Sequence, residues 1–293
     1  MVSKISWLKR SILASCFTLT SLLSTARAEN LEERLRAETV DTGVNYSRIY
    51  IRSYTNGDPS DEDIKLTGNQ VGGTIGLHII PNLNTSFTLG AQKFSLEYID
   101  PSFREVIRDL NLSLDVDPTI YMGGRVELEI PVNNFVLGPF VYSERAVKAS
   151  AEIRRFSARS RIYGLHGGNI SSIRYSDDRL DAGFYVRWQR QVESFNHRKV
   201  GLSAAFAYTK LNFDLEVDYT KQGRMLLNYA RIVDPEILEG SFSHNESGGY
   251  IHLGPVVQLW DMLFLEANIN FIFTEDTRAY QIGGHLEFCV PSS

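Results

Sequence analysis

Cysteine is nearly absent from this chain. Only Cys16 and Cys289 occur in 293 residues, so no disulfide framework staples it. Basic charge is in deficit, with 30 Lys and Arg against 35 Asp and Glu. The net charge of −5 argues against a general nucleic-acid binder, and no nucleic-acid partner is expected. Long hydrophobic runs are missing too. The one mostly apolar stretch near the start, 11–23, is shorter than the roughly 20 residues that a membrane helix needs. With a mean hydropathy of −0.17, helical membrane spans are not expected. Crossing by strands is still open, because only every second residue of such a strand meets lipid. No cofactor motif is read, and no cofactor is expected. What the chain does have is aromatic residues: 14 Tyr and 16 Phe, which favour strands and membrane interfaces.

The first segment reads as a processing signal. Lys4, Lys9 and Arg10 precede the apolar run, and Ala26-Arg27-Ala28 offers a small-x-small cleavage site. Residues 1–28 are therefore expected to be a secretory signal peptide, with the mature chain starting at Glu29. Leu13-Ala14-Ser15-Cys16 offers a rival, a lipoprotein box that would acylate Cys16. Little apolar sequence precedes Cys16 and the run continues past it, which favours cleavage after Ala28. The charged stretch 29–42 reads as a mobile tail.

From residue 43 the pattern is period two. In 70–80, Val71, Gly73, Ile75, Leu77 and Ile79 oppose Gln70, Gly72, Thr74, Gly76 and His78. In 119–130, Ile120, Met122, Val126 and Leu128 oppose Tyr121, Arg125, Glu127 and Glu129. The first strand puts Ile49 and Ile51 on one side and Arg48, Tyr50 and Arg52 on the other. Two phase changes are expected. One is a bulge near Gln92 that turns Phe94 and Leu96 outward, and the other is a switch at Lys210. Pro139 and Pro255 should mark bulges or local breaks. Ten strands are counted, within two either way. Short turns such as Pro131-Val132-Asn133-Asn134 alternate with longer loops at 56–69, 100–118, 145–180 and 220–248.

The last alternating stretch is 278–288. Tyr280, Ile282, Gly284, Leu286 and Phe288 share one face, while Gln281, Gly283, His285 and Glu287 share the other. Gln281, Gly283, Leu286 and Phe288 resemble the C-terminal targeting signal of bacterial outer-membrane β-barrel proteins. The resemblance implies an all-β, closed antiparallel transmembrane barrel of about ten strands. It also implies short periplasmic turns, long extracellular loops and an outer-membrane location. Residues 29–42 would be a periplasmic tail, 43–288 the barrel, and 289–293 a short extension beyond the signal. Its partners would be outer-membrane lipid, lipopolysaccharide and the barrel-assembly machinery, with the protein a monomer. A secreted β-sandwich would also alternate, but it has no use for the terminal signal.

The expected lumen-lining residues are Arg48, Arg52, His78, Arg125, Glu127, Glu129, Arg187, Glu266, His285 and Glu287. They allow a filled polar core or a narrow pore. His78 and His285 lie at one height with carboxylates nearby, but no metal-ligand spacing appears, and hydrogen bonding is the expected role. A non-enzymatic barrel, either a narrow porin-like channel or a structural protein, is the leading expectation. An adhesin or lipopolysaccharide binder is the first alternative, using the basic loop with Arg145, Lys148, Arg154, Arg155, Arg159, Arg161 and Arg174. A loop-borne hydrolase is the second. Asp115, Asp117 and His244 sit in loops similar to those of the omptin proteases, but the Asp two places before the histidine is missing. His244 and Ser247 resemble the His-x-Ser of lipid A deacylases with the spacing off by one.

Overall fold

The computed structural model describes residues 39–54, 62–80, 82–98, 107–160, 167–192, 198–229, 239–260, 262–274 and 277–291. They form thirteen strands: β1 (Thr39–Tyr54), β2 (Glu62–Ile80), β3 (Leu83–Tyr98), β4 (Ile107–Val116), β5 (Thr119–Leu128), β6 (Ile130–Val132), β7 (Phe135–Ala146), β8 (Ala149–Ser160), β9 (Ile170–Val192), β10 (Arg198–Tyr219), β11 (Ser241–Trp260), β12 (Leu263–Thr274) and β13 (Thr277–Pro291). One helix, α1, spans Lys221–Tyr229. The expected signal segment, 1–28, lies outside the described residues, and Cys16 with it.

Ten strands close a ring in the order β1, β2, β3, β5, β7, β9, β10, β11, β12, β13. All neighbours are antiparallel, and β13 returns to β1 in unbroken register from Thr39↔Pro291 to Ser53↔Thr277. The barrel is thus longer at both ends than the expected 43–288. Residues 39–42 and 289–291 find each other as ladder partners instead of trailing as tails. The other three strands extend ring members. β4 runs into β5, β6 continues the β5 edge along β7, and β8 continues β7.

Alternation explains the ring. Along β5, Thr119, Tyr121 and Glu127 are buried, while Ile120, Met122, Val126 and Leu128 are exposed. The same holds around the barrel. Val44, Ile75, Phe87, Phe206 (64 % exposed), Phe271 and Ile282 all stand outside. So large an apolar belt on a closed ring is incompatible with water and belongs in lipid. No helix among the described residues is long and apolar enough to cross a membrane; the strands do the crossing. The chain is a closed transmembrane β-barrel, and its short turns mark the rim that such barrels turn to the periplasm.

Several expectations change. Neither phase switch exists. β2 and β3 stay in register through Gln70↔Gln92, and Phe94 and Leu96 are buried inside, at 3 % and 4 % exposure. Leu211, Leu215 and Val217 likewise point inward past Lys210. The apolar side chains cross to the inside because the interior itself becomes apolar above the membrane belt. Arg48 and Arg52 are on the outer face. Arg48 is exposed, and Arg52 lies 4.9 Å over the ring of Tyr50, which stacks on the outward Tyr280. Their neighbours Ile49 and Ile51 take the inward positions and pack in the core, which reverses the expected sides.

The expected loops 100–118 and 145–180 are largely strand, in β4, β8 and the upper part of β9. Polar outer faces beyond the lipid gave these strands the look of loops. Each of two long strands is broken by a pair of exposed residues, Asp117-Pro118 and Val147-Lys148. Pro118 has no N–H for the ladder. The two breaks face each other and are stitched by Asp117 N to Ser150 O and Val147 N to Ile120 O, both 2.8 Å. Pro139 and Pro255 do mark gaps in pairing, against β5–β6 and β12 respectively. In the turn between β6 and β7, Asn133 takes φ 54°, a conformation that asparagine tolerates well.

Candidate functional site: a cavity at the periplasmic rim

The interior has three layers. The extracellular layer is apolar: Leu66, Phe94, Leu114, Val116, Tyr175, Leu215 and Val217 belong to one buried cluster. Leu227 of α1 joins it at 1 % exposure. Helix α1 is held by its first turn, where Gly223 N donates to Thr220 Oγ1 (3.2 Å) and Thr220 N donates to Asn169 O (2.8 Å).

The middle layer is polar and largely satisfied. Gln70 Nε2 donates to Gln92 Oε1 at 2.9 Å and to Glu144 Oε1 at 3.0 Å. Gln92 Nε2 donates to Asp177 Oδ1 at 2.9 Å, and Gln281 Nε2 donates to Ser47 Oγ at 2.7 Å. Arg179 forms a two-pronged pair with Asp181, through Nε at 3.0 Å and a terminal nitrogen at 2.6 Å. Thr209 donates to the same carboxylate at 2.5 Å.

The lowest layer is open. A cavity of about 420 Å³ reaches the rim of short turns, and Asp41, Glu129 and Glu287 lie along its wall. Such a volume is in the range of small-molecule sites. Of the expected lumen residues, Arg125, Glu127, Glu129, Arg187, Glu266, His285 and Glu287 are brought together here. Arg125 pairs with the buried Glu127 at 2.7 Å and lies 4.5 Å over the Phe140 ring. Arg48 and Arg52 are not part of the cavity. The side chains of His78 and Cys289 lie outside the described residues. Among the described residues no cluster of three or more His, Cys, Asp or Glu is arranged to hold a metal. At the terminal signal, Gln281 faces inward into the polar layer, while Leu286 and Phe288 are exposed to the lipid side.

Three further residues carry the most chemically specific geometry in the cavity region. Ser203 Oγ lies 3.0 Å from His252 Nε2 and 3.0 Å from Gly254 O, and it contacts Glu266 Oε1. His252 Nδ1 lies 2.7 Å from Asn270 Oδ1. The Asn270 amide is oriented by two other bonds. Its Nδ2 donates to Gln281 Oε1 at 3.1 Å, and its Oδ1 accepts from Tyr250 Oη at 3.0 Å. Oδ1 can therefore only accept from the imidazole. That places a hydrogen on Nδ1, and in the neutral imidazole the Nε2 lone pair then faces Ser203. Glu266 lies 3.4 Å from the same Nε2. A Cβ at Gly254 would sit 2.5 Å from Glu266 Oε1 and 2.6 Å from Ser203 Oγ, so only glycine leaves room for this contact. Residues on β10, β11 and β12 meet only through register, Ser203 opposite Gly254 and His252 opposite Asn270. The inward parity of His252 was the only trace of this in the sequence.

The extracellular candidates are dispersed. Asp115 pairs with Arg154 across β4 and β8. His244 is on β11, with β10, β9 and β8 between it and β4, and its side chain lies outside the described residues. Glu246 accepts hydroxyl bonds from Thr274 and Thr277. Part of the basic segment is neutralised at home: Lys148 pairs with Glu216, and Arg174 with Glu216 (3.5 Å) and Asp218 (3.0 Å). The exposed Asp218 carboxyl is held below its usual range by the Ser172 hydroxyl, 2.6 Å away, and then by Arg174. Arg155, Arg159 and Arg161 have side chains outside the described residues.

No family model matches the chain, and no curated protein sequence matches it. Among solved structures it is similar to the β domain of the Bordetella autotransporter BrkA, at 9 % identity and TM-score 0.49, over 86 % of this chain and 100 % of that one. It is also similar to the outer membrane protease OmpT from Escherichia coli, at 10 % identity and TM-score 0.46, over 87 % and 97 %. The translocator domain of the autotransporter NalP from Neisseria meningitidis is a third, at 10 % identity and TM-score 0.46, over 95 % and 97 %.

Proposed function

We propose that this barrel is a binding protein that works from its periplasmic rim, and that it is not a through-channel. The observation that carries this reading is the unequal filling of the interior. Apolar side chains pack the extracellular layer, with Leu114 at 0 % and Leu66 at 1 % exposure, while the rim layer keeps a cavity of about 420 Å³. Ions crossing the lumen would have to displace a packed apolar cluster and break the polar layer beneath it, both of which cost free energy.

The lining favours a particular ligand class. The described lining carries five carboxylates, Asp41, Glu127, Glu129, Glu266 and Glu287, together with the guanidinium groups of Arg125 and Arg187 and the imidazoles of His252 and His285. The acidic surplus suits a neutral or cationic small molecule arriving from the periplasm. The barrel acts as a monomer, with lipid and lipopolysaccharide around it and the assembly machinery as its transient partner. Planar-bilayer recording on the purified protein is the test. No single-channel steps are expected, and steady ohmic steps would overturn the closed-lumen reading.

A further inference from the structure

We infer that Ser203, His252 and Asn270 form an acyl-transfer site in the rim cavity, acting on a small polar ester. The inference rests on the reading of the cavity as open to the periplasm. Its parts have the geometry that nucleophilic catalysis requires: a hydroxyl within reach of a base, and a base oriented by a third group. The hydroxyl is Ser203, 3.0 Å from Nε2 of His252. The orienting group is Asn270, 2.7 Å from Nδ1 and itself locked by Tyr250 and Gln281. Arg187 is the direct cross-strand partner of Ser203 on β9 and lines the same cavity. That puts a fixed positive charge beside the nucleophile, where an oxyanion would develop.

In the step, Ser203 Oγ bonds to the ester carbonyl carbon and its proton passes to His252 Nε2. The carbonyl oxygen becomes the oxyanion, facing the Arg187 guanidinium. The bond from that carbon to the alcohol oxygen then breaks, and Nε2–H gives its proton to the departing alcohol. Water, activated by the same Nε2, attacks the acyl-serine. It releases the carboxylic acid and restores the Ser203 hydroxyl. Glu266, 3.4 Å from Nε2, offsets the charge of the transient imidazolium. In the resting state Glu266 also competes for the Ser203 proton, so the site is poised rather than pre-activated.

The test uses the full barrel refolded in detergent micelles, each variant checked for folding by its heat-modifiable gel mobility. Diisopropyl fluorophosphate should add one phosphoryl group, displacing fluoride, and mass mapping should place it on Ser203. Ser203→Ala should abolish labelling, and His252→Ala or His252→Gln should slow it by about 10²–10⁴-fold. Asn270→Asp should restore more of the rate than Asn270→Ala, which a packing role alone would not produce. In parallel, Ser203→Cys in a background lacking Cys16 and Cys289 reports access to a small methanethiosulfonate. If Ser203→Cys is modified but the wild-type serine is never phosphorylated, or if labelling survives Ser203→Ala, the acyl-transfer inference fails and the binding cavity stands. If Ser203→Cys is unreactive in the folded barrel, the open cavity fails and the inference fails with it.

Discussion

Asp181→Ala is expected to destabilise the folded barrel by about 3–5 kcal/mol, the usual cost of stranding one partner of a buried ion pair. The carboxylate is almost fully enclosed, with 2 % of its side chain exposed against 14 % for Arg179. It accepts the two-pronged guanidinium pair and the Thr209 hydroxyl together. Removing it leaves a guanidinium among aromatic rings, 4.7 Å from the Tyr250 centroid and 5.7 Å from that of Tyr142. Those rings attract a cation but do not neutralise it, and Thr209, at 0 % exposure, loses its acceptor. The double change Arg179→Met with Asp181→Leu should be milder than the single one, because it buries no lone charge. Urea unfolding of the barrel in lipid vesicles, followed by tryptophan fluorescence, reads both. A loss below about 1 kcal/mol for Asp181→Ala would place this pair in contact with water.

Phe94→Ala is the second large effect, expected at about 3–5 kcal/mol for a buried aromatic truncated to alanine. Phe94 is 3 % exposed, and its ring meets that of Tyr175 edge-on at 6.3 Å between centroids and 66° between planes. A double-mutant cycle between the two should return a coupling of about 0.5–1.5 kcal/mol. The same cycle separates the two possible orientations of this strand end. A lipid-facing Phe94 would leave no cavity on truncation, since acyl chains fill the gap, and it would not couple to a residue inside the barrel. Zero coupling would therefore restore the bulge expected near Gln92.

That bulge shows where the sequence could and could not be read. Within the membrane belt, lipid outside and polar side chains inside give each strand a sharp contrast between faces. β5 and the lower part of β13 were accordingly legible residue by residue. Above the belt the contrast inverts: Phe94, Leu96 and Leu211 point in, and Lys93 and Lys210 point out. A period-two pattern keeps its rhythm through such an inversion, but the rule that apolar means outward fails, and false phase changes result. The polar outer faces of β4 and β8 were read as loops for the same reason. In β1, Ile49 and Ile51 belong to this apolar interior, so Arg48 and Arg52 were assigned the wrong side.

The rim cavity was partly legible because Arg125, Glu127, Arg187, Glu266 and Glu287 are inward charges in strands of clear parity. The serine–histidine–asparagine arrangement was not. Ser203, His252 and Asn270 come from three strands and meet through antiparallel register, which leaves no local spacing to recognise.

We propose a lumen sealed above and open below. Single cysteines placed along the inward face of β2, in a background lacking Cys16 and Cys289, test it most directly with a charged thiol reagent. Thr74→Cys, in the cavity wall, should react readily in the folded barrel. Leu66→Cys, buried in the apolar layer, should react only after urea unfolding. Equal reactivity at both positions in the folded protein would mean a water-filled lumen, open from rim to rim.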